Sequence, residues 1–169
     1  MKPTIFLDLD GVLATDEQLF EVITRDFHAL EKNAWAKELM VLYPFDEECV
    51  KVFNEILIET DADTVLSSDW KKHYNLEQLD IIFKENGIIK SPIDVTINNT
   101  LSFMDHERNR AYQIEEYVQS HNITQFVIID DMYIRTHLND IKDKFVQTQG
   151  YEGIKEVGIK EKILNILKS

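Results

Sequence analysis

Short apolar runs alternate along the chain with longer segments in which apolar residues recur every three or four positions. The short runs have the length of buried strands, and they lie near residues 4–9, 64–67, 93–97, 125–130 and 144–148. Regular alternation of strands and helices is typical of a parallel sheet covered by helices. The pattern therefore predicts an α/β fold with a Rossmann-like parallel sheet of about five strands flanked by helices.

The longer segments carry the spacing of amphipathic helices. The positions in phase are Val50, Phe53, Ile56 and Leu57 within residues 46–60, then Leu76, Leu79, Ile82 and Phe83, then Ile114, Tyr117 and Val118, and finally Ile159, Ile163, Ile166 and Leu167. Residues 16–43 are also helical in pattern and lie between the first strand and the helix that leads to the second. We expect them to form at most a small helical cap, or lid, within a single domain spanning residues 1–169.

Composition narrows the class of protein. The 169 residues are 44% hydrophobic, which is enough to bury a core. No apolar run is long enough to cross a bilayer or to form a signal peptide, so we expect a cytoplasmic protein without a membrane partner. Cys49 is the single cysteine, which excludes an internal disulfide, and its place in a helical segment favours a packed core thiol.

Charge bears on the partner. The 18 basic and 31 acidic residues give a formal net charge of −13, which repels polyanions over most of the surface. The balance therefore disfavours non-specific binding of a polynucleotide, although a local basic patch would still allow it.

Asp8 and Asp10 are the strongest chemical signal in the chain. They end the apolar run that begins at Thr4, and Gly11 follows at a predicted turn. Burying such carboxylates without partners is costly, so the pair requires a cation or hydrogen-bond donors. Two acids at this spacing offer hard oxygen ligands to a divalent ion, although an ordinary Asp-Gly turn would also explain them.

Three further elements converge on the same edge. In an open parallel sheet the ligand site lies beyond the carboxyl ends of the strands. Ser67 and Ser68 follow the second strand, and Asp130 and Asp131 follow the fourth. Arg110 lies near the start of a crossover helix, whose N-terminus is expected beside those strand ends.

This set of groups suits a phosphoryl substrate. The carboxylates would bind Mg²⁺, while a serine hydroxyl, a guanidinium and helix N-termini would bind phosphate oxygens. One carboxylate of the first pair can attack phosphorus, and the other can act first as an acid and then as a base.

The order Asp8-Leu9-Asp10-Gly11-Val12, Ser67, Arg110 and Asp130-Asp131 resembles the four motifs of the haloacid dehalogenase (HAD) superfamily of phosphohydrolases. The resemblance implies that Asp8 is the nucleophile and that Asp10 is the general acid and base. It also implies that Ser67 and Arg110 bind phosphate, and that Mg²⁺ is held by Asp8, the backbone carbonyl of Asp10, Asp130 and Asp131.

A narrower resemblance is to the HAD domains of "Swiss Army Knife" RNA repair proteins. It is carried by residues 46–50, by Val65-Leu66-Ser67-Ser68-Asp69-Trp70-Lys71 with Asn75 downstream, and by residues 110–114 with the later Ile129-Asp130-Asp131. The chain differs from that branch in having Ala111 after the arginine and Gln113 before Ile114.

Several assignments remain open from the sequence alone. Ser68 competes with Ser67 for the phosphate, and Arg108 competes with Arg110. Trp70 is either packing at the edge of the site or a platform for a base. Lys71 and Lys72 either meet a substrate anion or lie on the solvated surface. The five histidines lack metal-ligand spacing, and we assign them no role.

Three functions follow as hypotheses. The first is a Mg²⁺-dependent phosphatase that acts on a phosphomonoester through an aspartyl-phosphate on Asp8. The second is a phosphatase that processes polynucleotide ends, since a small cap would leave the site open. The third is a non-catalytic, regulatory HAD-like module that binds a phosphorylated ligand.

Overall fold

Five parallel strands form one sheet in the computed structural model, which describes residues 2–18, 45–98 and 105–169. The strands are Thr4–Leu7 (β1), Asp63–Leu66 (β2), Asp94–Val95 (β3), Phe126–Asp130 (β4) and Phe145–Gln147 (β5). Their order across the sheet is β3-β2-β1-β4-β5. The predicted fold class is therefore confirmed, with β1 at the centre of the sheet.

Four helices in the described residues match the predicted amphipathic segments. They are Glu47–Thr60 (α1), Leu76–Glu85 (α2), His106–Ser120 (α3) and Ile159–Lys168 (α4). Side chains satisfy the free backbone N–H groups at three of their N-termini: Asp46 caps α1, Asn75 caps α2 and Asp105 caps α3. Leu76, which is in phase with the apolar face of α2, is the first residue of that helix and is 39% exposed.

Alternate residues of the strands face opposite sides of the sheet. Leu7 and Ile129 pack in the larger core, together with residues of α1, α2 and α4. Phe6, Val65 and Ile128 pack in a smaller core against α3. The sheet is thus covered on both faces, and α3 alone of the four helices lies on the second.

The first strand is shorter than its apolar run suggested. It ends at Leu7, because the backbone carbonyl of Leu9 accepts bonds from the N–H groups of Val12, Leu13 and Ala14. This tight loop takes Leu9 and the residues after it out of the sheet, whereas the Asp8 N–H still donates to the Ile129 carbonyl of β4 at 3.0 Å. Leu9 remains fully buried, which explains its apolar character.

Other expectations concern single segments. Cys49 is buried, and burial raises the pKa of its thiol to about 11, which confirms the prediction of a core thiol. Most of the predicted helical cap at 16–43 lies outside the described residues, which resume at residue 45. No helix in the described part of the chain has the length and apolar character needed to cross a membrane.

Candidate functional site

Three chemically active residues lie side by side because of strand register. Leu7 of β1 is paired with Leu66 of β2 on one side and with Ile129 of β4 on the other. The residues that come next are therefore also side by side: Asp8 after Leu7, Ser67 after Leu66 and Asp130 after Ile129. All three are buried at the carboxyl edge of the sheet, where the sequence predicted the site.

Arg110 reaches this edge from α3. Side-chain alternation directs Asp8, Ser67 and Asp130 to the face of the sheet that α3 covers. The Arg110 Nη1 atom lies 3.1 Å from Asp8 Oδ1 and 2.6 Å from Asp130 Oδ2. Burial opposes its charge, but the surrounding carboxylates outweigh that effect and raise the pKa of Arg110 above its usual value. Arg110 is thus a fixed, charged group between two strand ends.

Asp8, Asp130 and Asp131 form a cluster that suits a divalent cation. One oxygen from each lies within 4.8 Å of the others. Burial and the nearby charge of Asp8 raise the pKa values of Asp130 and Asp131. Three carboxylates face one guanidinium, so the cluster has an excess of negative charge and only hard oxygen donors. That donor set matches the preference of Mg²⁺.

The turn after β1 is built around Gly11. Its φ of +69° lies in the left-handed region, and a side chain there would overlap the carboxylate of Asp131. Thr148, one residue after β5, donates a hydrogen bond of 2.8 Å to the Gly11 carbonyl. The Asp-Gly turn is therefore fitted to the acidic cluster, and the reading of this segment as an ordinary turn does not account for that fit.

The side chains of Asp10 and Asp8 have different surroundings. The Asp10 carboxylate is not part of the three-residue cluster, and Oδ2 instead accepts a hydrogen bond of 3.0 Å from the indole Nε1 of Trp70. Partial desolvation of the carboxyl group and the charge of Asp8 raise the pKa of Asp10 to about 6. A carboxyl group with such a pKa can both hold and release a proton near neutral pH.

Geometry separates the two serines. Ser67 Oγ is buried and has no hydrogen-bond partner among the described residues. Ser68 Oγ accepts the backbone N–H of Trp70 at 3.5 Å and caps the short 3₁₀ helix Asp69–Lys72. An unpartnered hydroxyl at the site is free to bind a ligand, so the arrangement favours Ser67 over Ser68 as a phosphate ligand.

The two arginines also differ. The side chain of Arg108 is 59% exposed and lies 3.5 Å from Asp105, whereas that of Arg110 is 4% exposed and contacts Asp8 and Asp130. Asp69 supports Arg110 from the other side at 3.6 Å from Nη2. Burial opposes ionisation of Asp69, but Lys72, His106 and Arg110 together lower its pKa to about 2.

Lys71 is buried, so the reading of this residue as solvated surface was wrong. Its Nζ donates to Thr96 Oγ1 at 2.5 Å and to Gln113 Oε1 at 2.6 Å. Burial and the charge of Arg110 lower its pKa to about 7. Lys72 differs from it, because its side chain is 36% exposed and pairs with Asp69 at 2.9 Å.

Sequence reasoning missed the contacts that support the site. Trp70 was considered only as packing or as a stacking platform, yet it is 4% exposed and hydrogen-bonds Asp10. The sequence signal for this contact was a hydrogen-bond donor, the Trp70 indole, three residues after Ser67 at the same edge of the sheet. The contact of Arg110 with Asp69 and the partners of Lys71 had no signal in the spacing, because they join segments that are distant in sequence.

One histidine approaches other candidate ligands. His137 lies near Asp105 and Glu107, closely enough for the three to share a metal, but both acids are exposed. Exposed acidic groups of this kind are common without a metal, and the spacing of the histidines assigns His137 no role.

Comparison with known families agrees with this geometry. The family model described as "HAD domain in Swiss Army Knife RNA repair proteins" matches residues 4–159. That range covers all five strands and every candidate residue of the site. Searches of curated proteins and of solved structures found no significant match.

Proposed function

The chain belongs to the HAD domains of Swiss Army Knife RNA repair proteins, and we propose that it is a Mg²⁺-dependent phosphohydrolase that acts through an aspartyl-phosphate on Asp8. One observation carries the proposal. Asp8, Ser67 and Asp130 are adjacent in register at one edge of the sheet, and the buried Arg110 contacts two of them.

The acidic cluster is assigned to the metal. Asp8, Asp130 and Asp131 would hold Mg²⁺ together with the backbone carbonyl of Asp10, and their carboxylate oxygens fit that ion. When bound, Mg²⁺ would neutralise charge that otherwise repels an anionic substrate from three carboxylates.

The first chemical step transfers the phosphoryl group to the protein. Arg110 and the Ser67 hydroxyl bind non-bridging oxygens and hold phosphorus next to Asp8. An Asp8 carboxylate oxygen attacks phosphorus, and the bond from phosphorus to the leaving oxygen breaks. Asp10 donates its proton to that oxygen, so the product leaves as a neutral alcohol.

The second step releases phosphate. A water molecule attacks the phosphorus of the aspartyl-phosphate, and Asp10, now ionised, accepts a proton from the water. The bond between phosphorus and the Asp8 oxygen breaks, which returns Asp8 to a carboxylate and Asp10 to its protonated form. Asp10 thus acts in both steps, and its separation from the acidic cluster leaves it free for proton transfer.

The test is phosphate release from an aryl phosphate, with and without Mg²⁺. We expect turnover that stops with a chelator and is lost in Asp8→Asn. Asp140→Asn is the matched control, because Asp140 is exposed in a loop and belongs to none of the strand ends that form the site. Acid quenching during turnover should leave one phosphoryl group on the peptide that contains Asp8, detected by mass spectrometry.

Two outcomes contradict the proposal. Activity that persists in Asp8→Asn would exclude this residue as the nucleophile. Binding of an unreactive phosphate analogue with no turnover of any phosphomonoester would indicate a non-catalytic module instead.

A second candidate substrate is a phosphorylated RNA end. The family description, which refers to RNA repair proteins, favours it, whereas the net charge of −13 favours a small phosphomonoester or nucleotide. Hydrolysis of a terminal phosphate from an oligoribonucleotide, compared with the matching mononucleotide, decides between them. A clear preference for the oligonucleotide at physiological salt would establish the RNA end.

A further inference from the structure

The hydrogen bond between Trp70 and Asp10 joins two segments that the reaction requires. Trp70 Nε1 lies 3.0 Å from Asp10 Oδ2, and no other side chain in the described ranges is hydrogen-bonded to that carboxylate. Trp70 lies on the short 3₁₀ helix that follows Ser67, whereas Asp10 lies in the turn after β1. The segment that supplies the phosphate ligand therefore also supports the proton carrier.

The indole ring is held rigidly. Trp70 is 4% exposed, and its ring packs between those of Phe45 and Tyr74. The centroid of each neighbouring ring lies 5.7 Å from the centroid of the indole. Ser68 caps the 3₁₀ helix through the backbone N–H of Trp70. A ring fixed at both backbone and side chain has one direction in which to donate its N–H, and that direction is toward Asp10.

We propose that Trp70 is a positioning residue for Asp10. The hydrogen bond from Trp70 determines which carboxyl oxygen of Asp10 carries the transferred proton. An indole N–H can only donate, so it holds Oδ2 as an acceptor. In the protonated acid the proton then resides on Oδ1, which is the oxygen left to face the leaving group. The inference rests on the proposed phosphohydrolase function and adds a residue to its mechanism.

The step affected is proton donation to the leaving oxygen. When the bond from phosphorus to that oxygen breaks, its electron pair is taken up by the proton from Asp10 Oδ1. A poor leaving group such as phenoxide needs this proton, whereas dinitrophenoxide is stable as the anion and does not. Loss of positioning should therefore slow the hydrolysis of phenyl phosphate and leave that of dinitrophenyl phosphate nearly unchanged.

The experiment compares Trp70→Phe with the parent protein on phenyl phosphate and on 2,4-dinitrophenyl phosphate, using kcat/KM to isolate the first step. General acid catalysis contributes at least about 100-fold, so we expect loss of its alignment to lower kcat/KM for phenyl phosphate roughly tenfold. For dinitrophenyl phosphate the expected change is less than about twofold by the same reasoning. Phe keeps an aromatic ring between Phe45 and Tyr74 and lacks the N–H.

Controls separate positioning from packing. Phe45→Leu alters the same aromatic cluster and removes no hydrogen-bond donor, so it should slow neither substrate selectively. In an Asp10→Asn background, Trp70→Phe should cause no further loss on phenyl phosphate, because the two residues act as a unit. If Trp70→Phe does not fold, benzothienylalanine at position 70 replaces the N–H by sulfur and keeps the bicyclic ring.

Equal losses on both substrates, or no loss on either, would overturn the positioning role. A parent protein that hydrolyses neither substrate with Mg²⁺ would instead overturn the proposed function, and this inference with it. The two failures are therefore distinguishable in one set of measurements.

Discussion

Gly11 lies directly against the carboxylate of Asp131, and a Cβ atom at position 11 would overlap it. Gly11 has a φ of +69°, and Gly87 has a comparable φ of +76° with nothing within 4 Å of the same hypothetical atom. The two glycines thus share a backbone conformation and differ in what surrounds them. This difference makes them a matched pair for mutation.

Gly11→Ala should weaken metal binding far more than Gly87→Ala. Both changes incur a left-handed backbone cost of about 1 kcal/mol, but only the first displaces Asp131. We expect Mg²⁺ affinity to fall roughly 10-fold to 100-fold in Gly11→Ala, as when groups that orient metal ligands are altered. Titration calorimetry measures the affinity, and equal affinities in the two variants would contradict the assignment of Asp131 to the metal.

Ser67→Ala should weaken phosphate binding without destabilising the fold. The buried Ser67 hydroxyl has no partner in the described structure, so its removal leaves no hydrogen bond unsatisfied. Thr64→Val is the control, because Thr64 Oγ1 is likewise buried and without a partner but lies within β2 rather than at its end. We expect unchanged or higher melting temperatures in both variants, and weaker binding of orthovanadate only in Ser67→Ala.

Arg110→Met should destabilise the protein by about 3 kcal/mol at neutral pH, because it leaves the buried Asp8 and Asp130 without their cation. The loss should shrink as pH falls, since burial raises the pKa of Asp130 and its protonation then removes one of the buried charges. Arg108→Met removes an exposed pair and should cost less than about 1 kcal/mol. Urea unfolding with a chelator present measures both, and similar losses would contradict the central role of Arg110.

Lys71 gives the protein a specific dependence on pH. Burial and Arg110 lower its pKa to about 7 from 10.5, while Asp69 and Asp8 act in the opposite direction. Between these values the unfolded chain binds more protons than the folded one, so the free energy of unfolding rises with pH. The parent should gain on the order of 3 kcal/mol relative to Lys71→Met between about pH 7 and 9.5.

The same urea unfolding series on Lys72→Met provides the comparison for Lys71, because Lys72 is a neighbouring lysine with a partly exposed ammonium paired to Asp69. A stability difference between parent and Lys71→Met that stays constant over this range would show that the buried ammonium does not titrate there.

Much of the fold followed from local pattern. The strand and helix segments were predictable because a buried strand requires a short apolar run and an amphipathic helix requires its own period. The end of β1 was not predictable, since the turn at Leu9 continues the apolar run while leaving the sheet. Leu76 shows the same limit, because a helix terminus can keep the pattern of a buried face and still be exposed.

Local pattern along the chain was enough to show which residue types follow which strands, and thus that Asp8, Ser67 and Asp130 would meet at one edge. Packing distinguished residues that share a local pattern: Arg110 is buried and Arg108 is exposed, Lys71 is buried and Lys72 is partly exposed, and Trp70 donates to Asp10. Period and polarity are properties of neighbouring residues along the chain. Hydrogen bonds and ion pairs between distant segments depend on distances of a few ångströms, which packing alone sets.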